Sequence, residues 1–173
     1  RVLSRIRDNK LHVELLKCVV MKKTLPFCGV NVGVDGFSIS DSQIEAMGNY
    51  PAKTEDYPAA KYVQEFMGSV RFFQDFVPWL ADIAVPLYRL TMKDNDEIWN
   101  VNHVSTIRVI QFHLTSSPVL GYFDSTRPHT FITTDASDYA IGGWLGQKDE
   151  SDNTIIVSYW SRKLIPAELN YPV

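Results

Sequence analysis

The sequence predicts an α+β chain: a small antiparallel sheet ending in a hairpin, a helical middle, and three further strands at its end. Three observations carry this. Short β-rich apolar runs occupy residues 11–40. From Tyr62 to Leu114 the apolar residues fall at helical spacing. After Leu120 the period returns to that of strands.

The elements follow in order. Val2, Leu3 and Ile6 face one way among basic residues, which predicts the end of an amphipathic helix, with Asn9 as its left-handed stop. Leu11, Val13 and Leu15 alternate as in a half-buried strand, and residues 19–21 and 25–32 read as further strands. Asp35-Gly36 marks a turn that leads back through Phe37 and Ile39. Asp41 caps a short helix through Met47, and residues 50–58, with two prolines, form a connector. Tyr62, Val63, Phe66, Val70, Phe73 and Val77 make a stripe that Pro78 ends. Phe66, Phe73 and Phe76 read as core rather than as a stacking platform. Leu80, Ile83, Ala84, Leu87 and Leu90 mark another helix, which Pro86 should kink or split. After a solvated acidic loop (Asp94, Asp96, Glu97), Trp99 precedes a third helix with Val104, Ile107, Ile110 and Leu114 inward. Strands are expected at residues 129–135, 139–147 and 154–160, with the acidic tract 149–153 looping between the last two.

Composition narrows the function classes. Hydrophobic content of 45% and charged content of 21% fit a folded globular chain. No apolar run approaches the roughly 18 residues that span a bilayer, so no membrane role is expected. Cys18 and Cys28, with no CxxC and no nearby His pair, read as buried reduced thiols of an intracellular protein, cytoplasmic or nuclear. His12, His103, His113 and His129 lack zinc-ligand spacing. The first residue is Arg1, which points to a piece of something longer. Charge is uneven: residues 1–93 hold 12 Lys/Arg against 10 Asp/Glu, and residues 94–173 hold 5 against 10. Any nucleic-acid contact is therefore expected to be local and to run through the first half.

One stretch carries chemistry. The apolar run Phe131-Ile132-Thr133-Thr134 leads straight into Asp135-Ala136-Ser137-Asp138. A carboxylate at a strand end beside a tight turn is a usual way to hold a divalent metal against phosphate. Asp is equally a common turn former.

A dozen motifs in order resemble the reverse transcriptase of gypsy-type LTR retrotransposons and, more distantly, of gammaretroviruses. Residues 2–9 through Lys17-Cys18 look like the segment after the polymerase catalytic loop. Phe27-Cys28-Gly29-Val30 with Asp35-Gly36-Phe37 resembles the primer-grip hairpin. Phe66-Met67-Gly68, Phe72-Phe73, Phe76-Val77-Pro78, Ala84-Val85-Pro86-Leu87, Leu90-Thr91, Trp99 and Ser117-Pro118-Val119-Leu120 resemble the thumb pattern. Thr134-Asp135-Ala136-Ser137, Ile141-Gly142-Gly143, Gln147, residues 159–164 and residues 167–171 resemble the start of ribonuclease H. The resemblance implies a palm end with primer-grip hairpin over residues 1–49, a helical thumb and connection over 50–120, and the first three strands of a ribonuclease H-like fold over 121–173.

It also implies a role. A hairpin presses its backbone on a primer terminus, and a helix lies along the minor groove of an RNA–DNA hybrid or duplex, where shape and phosphates are read. Phe27, Cys28, Gly29 and Val30, the Lys22-Lys23 pair, Gln64 and Arg71 are the expected contacts. Each, taken singly, reads first as a solvated face. Asp135 matches the first ribonuclease H carboxylate and so a Mg²⁺ ligand. Glu168 precedes the position of the second in the family pattern. The chain holds no Tyr-x-Asp-Asp and none of the later aspartates, so the resemblance implies a truncated, incomplete active site that relies on remaining polymerase and ribonuclease H segments or on a protein partner. It departs from the pattern at Lys10, where Gly is usual, at Cys28 for Leu, and at Gln111 for Lys. A domesticated, non-enzymatic protein-interaction module is the alternative reading.

Overall fold

The computed structural model describes residues 1–93 and 96–170. Asp94 of the expected acidic loop and Tyr171 of the terminal motif lie outside the described residues. Two three-stranded antiparallel sheets flank a helical core.

Helix α1 (Val2–Asp8) buries nothing. Its stop is not Asn9, whose φ is −91°, but Lys10 at φ 54°. That is where the family pattern has Gly, which takes a left-handed backbone without the Cβ crowding that Lys must accept. Residues 11–21 form no strands. Leu11 is 63% exposed, Val20 is 74% exposed, and a 3₁₀ turn occupies Leu15–Lys17. Alternation alone makes no ladder where no neighbouring strand supplies hydrogen bonds.

The first sheet runs β1 (Thr24–Phe27), β2 (Val30–Gly33), β3 (Phe37–Ile39), in that order. The single strand expected over residues 25–32 is thus two. Phe27 pairs with Val30 across the two-residue loop Cys28-Gly29, and both loop residues have positive φ, 48° and 83°. This is a type I′ geometry, which matches the natural twist of a hairpin. The loop also corrects the expectation of buried thiols: Cys28 sits at its tip and Cys18 in the open N-terminal segment, so both are exposed.

Helices α2 (Asp41–Gly48), α3 (Ala59–Arg71), α4 (Leu80–Ile83), α5 (Val85–Arg89) and α6 (Val101–Thr115) supply the core. Phe66, Val70, Leu87, Ile110 and Leu114 are fully buried. The stripe expected to run to Val77 ends as an α-helix at Arg71 and continues as a 3₁₀ turn, Gln74–Phe76, with Phe73 and Phe76 still in the core. Pro86 falls at the start of α5, where a missing N–H costs nothing, and the expected helix is split there. Gln111 donates to the Met47 carbonyl at 2.8 Å and ties α6 to α2.

Sequence spacing does not single out His103, yet it is fully buried. Its Nδ1 accepts from the Asn100 backbone N–H at 3.0 Å, while Asn100 caps α6 in return. Its Nε2 lies 3.2 Å from Glu97 Oε1, so the buried ring sits between the α6 cap and the acidic loop.

The second sheet runs β4 (Thr130–Ala136), β5 (Ala140–Lys148), β6 (Thr154–Lys163). One extended step joins the two sheets. Leu120 exchanges both backbone hydrogen bonds with Phe37 of β3, and the Gly121 N–H donates to Ile156 of β6 at 2.7 Å. Helix α4 covers one face of β5 and β6, and Ile156 and Tyr159 join the core from there. The other face keeps Ile132 65% exposed and Trp160 37% exposed.

Candidate nucleic-acid interface and carboxylate cleft

The hairpin tip and helix α3 share one open groove, lined by Cys28, Gly29, Gln43, Gly68, Ser69 and Phe72. The tip is held from below. The Ser40 N–H, at the start of α2, donates to the Gly29 carbonyl at 3.0 Å, and a Cβ at Gly29 would press on Gln43 and Phe73. Phe27, 64% exposed, and Cys28 project outward, while Val30 is half-buried. Lys22 and Lys23 are exposed just before β1.

On α3 and its C-cap residue, Gln64, Gly68, Arg71 and Phe72 fall on one exposed side at helical spacing. A Cβ at Gly68 would meet nothing within 4 Å, so the backbone itself is open to close approach there. Of the residues expected from sequence, the groove brings together Cys28 and Gly29, whereas Phe27, Val30, Lys22, Lys23, Gln64 and Arg71 are not in its lining. Gly68 and Phe72 line the groove too, and their helical spacing from Gln64 is the signal that marks them.

Asp135 lies near the end of β4, exposed, its Oδ1 accepting from the Ala136 N–H at 2.9 Å. It pairs across the ladder with Gly142, and Gly142 with Ser161. These residues share the face that α4 covers. Here Trp79, in the left-handed region at φ 56°, lies so close that a Cβ at Gly142 would come within 2.6 Å of its ring. The Ala81 N–H donates to Ser161 Oγ at 2.9 Å, and Ser137 Oγ donates to Asp82 Oδ1 at 2.6 Å. A cleft of about 200 Å³ results, with Asp135 and Asp82 in its lining. No local pattern marks Trp79, Asp82 or Ser161 as its walls, because the contacts span 55 residues or more of chain.

The cleft does not by itself fit a divalent ion. Hard cations of this kind take six or more oxygens. Asp135 offers one carboxylate, Asp82 is engaged by Ser137, and among the described residues no three His, Cys, Asp or Glu are grouped to share a metal.

Glu168 points elsewhere. Its two oxygens accept from both terminal nitrogens of Arg162 at 2.7 Å each. Arg162 neighbours Ser161 along β6, so its side chain leaves the opposite face of the sheet from Asp135. The Arg162 hydrogen bonds, with a further one from the Ile165 N–H, lower the Glu168 carboxyl from its ordinary 4.5 to about 2. A carboxyl with a depressed folded value stabilises the fold above its unfolded pKa and loses that contribution as pH falls through the folded one. Amide protection over residues 161–170, taken relative to the intrinsic exchange rate at each pH, is therefore expected to fall between pH about 4.5 and 2. Glu168→Gln should remove that step, and an acid response unchanged in the variant would show that the pair contributes nothing.

Residues 99–173 match the family model described as an RNase H-like domain found in reverse transcriptase. Over 172 residues, 99% of its length, the chain is 30% identical to the Transposon Tf2-3 polyprotein of Schizosaccharomyces pombe, and equally to the Tf2-4 polyprotein of that organism. It spans 12% of the length of these curated relatives. Among solved structures, the foamy viral protease-reverse transcriptase dRH in complex with ds DNA superposes with a TM-score of 0.75 at 21% identity, covering 99% of this chain and 29% of that one. The foamy viral protease-reverse transcriptase in complex with RNA/DNA hybrid gives 0.70 at 21% identity, covering 92% and 21%. At these identities the likeness establishes the fold. Among the described residues no helix is long and apolar enough to cross a membrane.

Proposed function

We propose that this chain, whose residues 99–173 match the model of an RNase H-like domain found in reverse transcriptase, is a working part of a retroelement polymerase that grips an RNA–DNA hybrid. Residues 1–49 act as the palm end and primer grip, residues 50–120 as thumb and connection, and residues 121–173 as a partial ribonuclease H-like unit. The observation that supports this most is the shared groove of the hairpin tip and α3, with the bare backbone of Gly68 on its floor.

In this reading the tip residues Phe27, Cys28, Gly29 and Val30 press on the primer end, with Lys22 and Lys23 on nearby phosphates. Gln64, Gly68 and Phe72 follow the wide, shallow minor groove of an A-like duplex, where a helix reads shape rather than sequence. Arg71 takes a phosphate. Asp135 supplies a single carboxylate, so any Mg²⁺ chemistry depends on oxygens from elsewhere in a longer protein acting in the cytoplasm or nucleus.

The test is hybrid binding by the 173-residue chain, compared with duplex DNA, at low and moderate salt. Salt-sensitive binding is expected, and Gly68→Leu should weaken it about tenfold while leaving the melting temperature nearly unchanged, since that site is open. Failure of the native chain to bind at low salt would overturn this reading in favour of a domesticated interaction module.

A further inference from the structure

Gln43, near the start of α2, lines the hairpin groove beside Gly29 and Gly68 and is half-buried there. The backbone fixes its place. The Gln43 N–H donates to the Ser40 carbonyl at 2.9 Å, and the Ser40 N–H donates to the Gly29 carbonyl at 3.0 Å. The turn that carries Gln43 is therefore bonded directly to the hairpin tip, and the two keep one spacing. The side-chain stem lies under the tip: a Cβ built on Gly29 would come within 3.3 Å of Gln43 Cγ and 3.6 Å of its Cδ.

The head of this side chain has no partner. Elsewhere in the groove the Ser69 hydroxyl donates to the Glu65 carbonyl at 3.2 Å, Cys28 offers only a weak thiol donor, and Phe72 has no polar side-chain atom. The Gln43 carboxamide makes no hydrogen bond among the described residues, and its polar atoms reach solvent in the groove. A carboxamide presents donors and an acceptor at one point. Its best match is a group that is itself both donor and acceptor. In the wide, shallow minor groove of an A-like duplex the 2′-hydroxyls of the RNA strand are such groups, and a DNA strand lacks them. Base edges in a minor groove offer acceptors at every pair but a donor only at guanine, so pairing with bases would make the contact depend on sequence.

We propose that Gln43 is a specificity-determining residue of the groove, its carboxamide hydrogen-bonding a 2′-hydroxyl of the RNA strand, so that the chain favours an RNA–DNA hybrid over duplex DNA. This rests on the hybrid-gripping reading above. The competing role is mechanical, with the stem of Gln43 merely propping Gly29.

Three ligands of one sequence separate the two roles: an RNA–DNA hybrid, the same hybrid with fluorine in place of every 2′-hydroxyl, and duplex DNA. Fluorine keeps the A-like sugar but donates no hydrogen bond. Each ligand is titrated at low salt with the native 173-residue chain and with Gln43→Met, which keeps the stem and removes the amide. The native chain is expected to bind the hybrid about three- to tenfold more tightly than its fluorinated form, the range for one neutral hydrogen bond. Gln43→Met should bind those two alike, with its affinity for duplex DNA unchanged. A Gln43→Met chain weakened equally toward all three ligands would establish the prop and overturn the proposal. A native chain indifferent to fluorine would overturn it as well, as would a Gln43→Met chain that keeps the native preference. All three of these results leave the hairpin and α3 reading standing, whereas a native chain that binds no hybrid removes both.

Discussion

Phe66→Ala is expected to lower the stability of the chain by about 3–5 kcal/mol, the range for removing a fully buried aromatic side chain. Phe66 has no exposed surface. Its ring meets that of Tyr50 edge-on at 5.1 Å, and it belongs to the cluster that holds Val63, Val70, Leu87, Ile110 and Leu114. Several helices contribute to that cluster, so no single element can shift inward to fill the void, and the cavity penalty adds to the forfeited transfer energy. For a chain of this size the change corresponds to a fall in Tm on the order of 10 °C. Phe72→Ala supplies the internal contrast. Phe72 lies just past the same helix but is 62% exposed, and its truncation should move stability by no more than about 0.5 kcal/mol. Thermal and urea melts of the two variants check this. Equal effects would mean that the helix faces the core differently.

That contrast also shows what the sequence makes legible. Tyr62, Val63, Phe66 and Val70 recur at the helical period, and the buried side of α3 follows from it, as do the split at Pro86 and the three closing strands. Local pattern fails where the determining contact is distant or absent. Leu11 and Val13 alternate like a strand, but nothing pairs with them. Cys28 takes a left-handed turn position for which Asn or Gly is the recognisable signal, so the first hairpin reads in the sequence as one strand. His103 reads as one of four scattered histidines until Asn100 and Glu97 are seen around it. For the candidate site, motif alone marks Asp135 and the hairpin tip. It does not mark the walls of the carboxylate cleft, since these join residues 55 to 80 positions apart.

Gly36→Ala should destabilise the chain by about 2–5 kcal/mol, although it adds only one methyl group. Gly36 has φ 142°, a conformation that an L side chain rarely adopts. A Cβ there would also run into the Leu120 carbonyl oxygen, which is backbone and not a flexible side-chain end. The same carbonyl accepts from the Phe37 N–H at 2.8 Å, and the Leu120 N–H returns a bond of 2.9 Å. Relieving the clash therefore means giving up the step that joins the first sheet to β6 through Gly121, so backbone strain and broken hydrogen bonds add. The same substitution at Gly68 should act in the opposite sense. That residue is helical with open space around it, and alanine there is favoured by about 0.5–1 kcal/mol. Melting both variants under one condition gives the comparison. A Gly36→Ala chain as stable as the native one would mean that the turn does not press on Leu120, and the two sheets would then be joined without it.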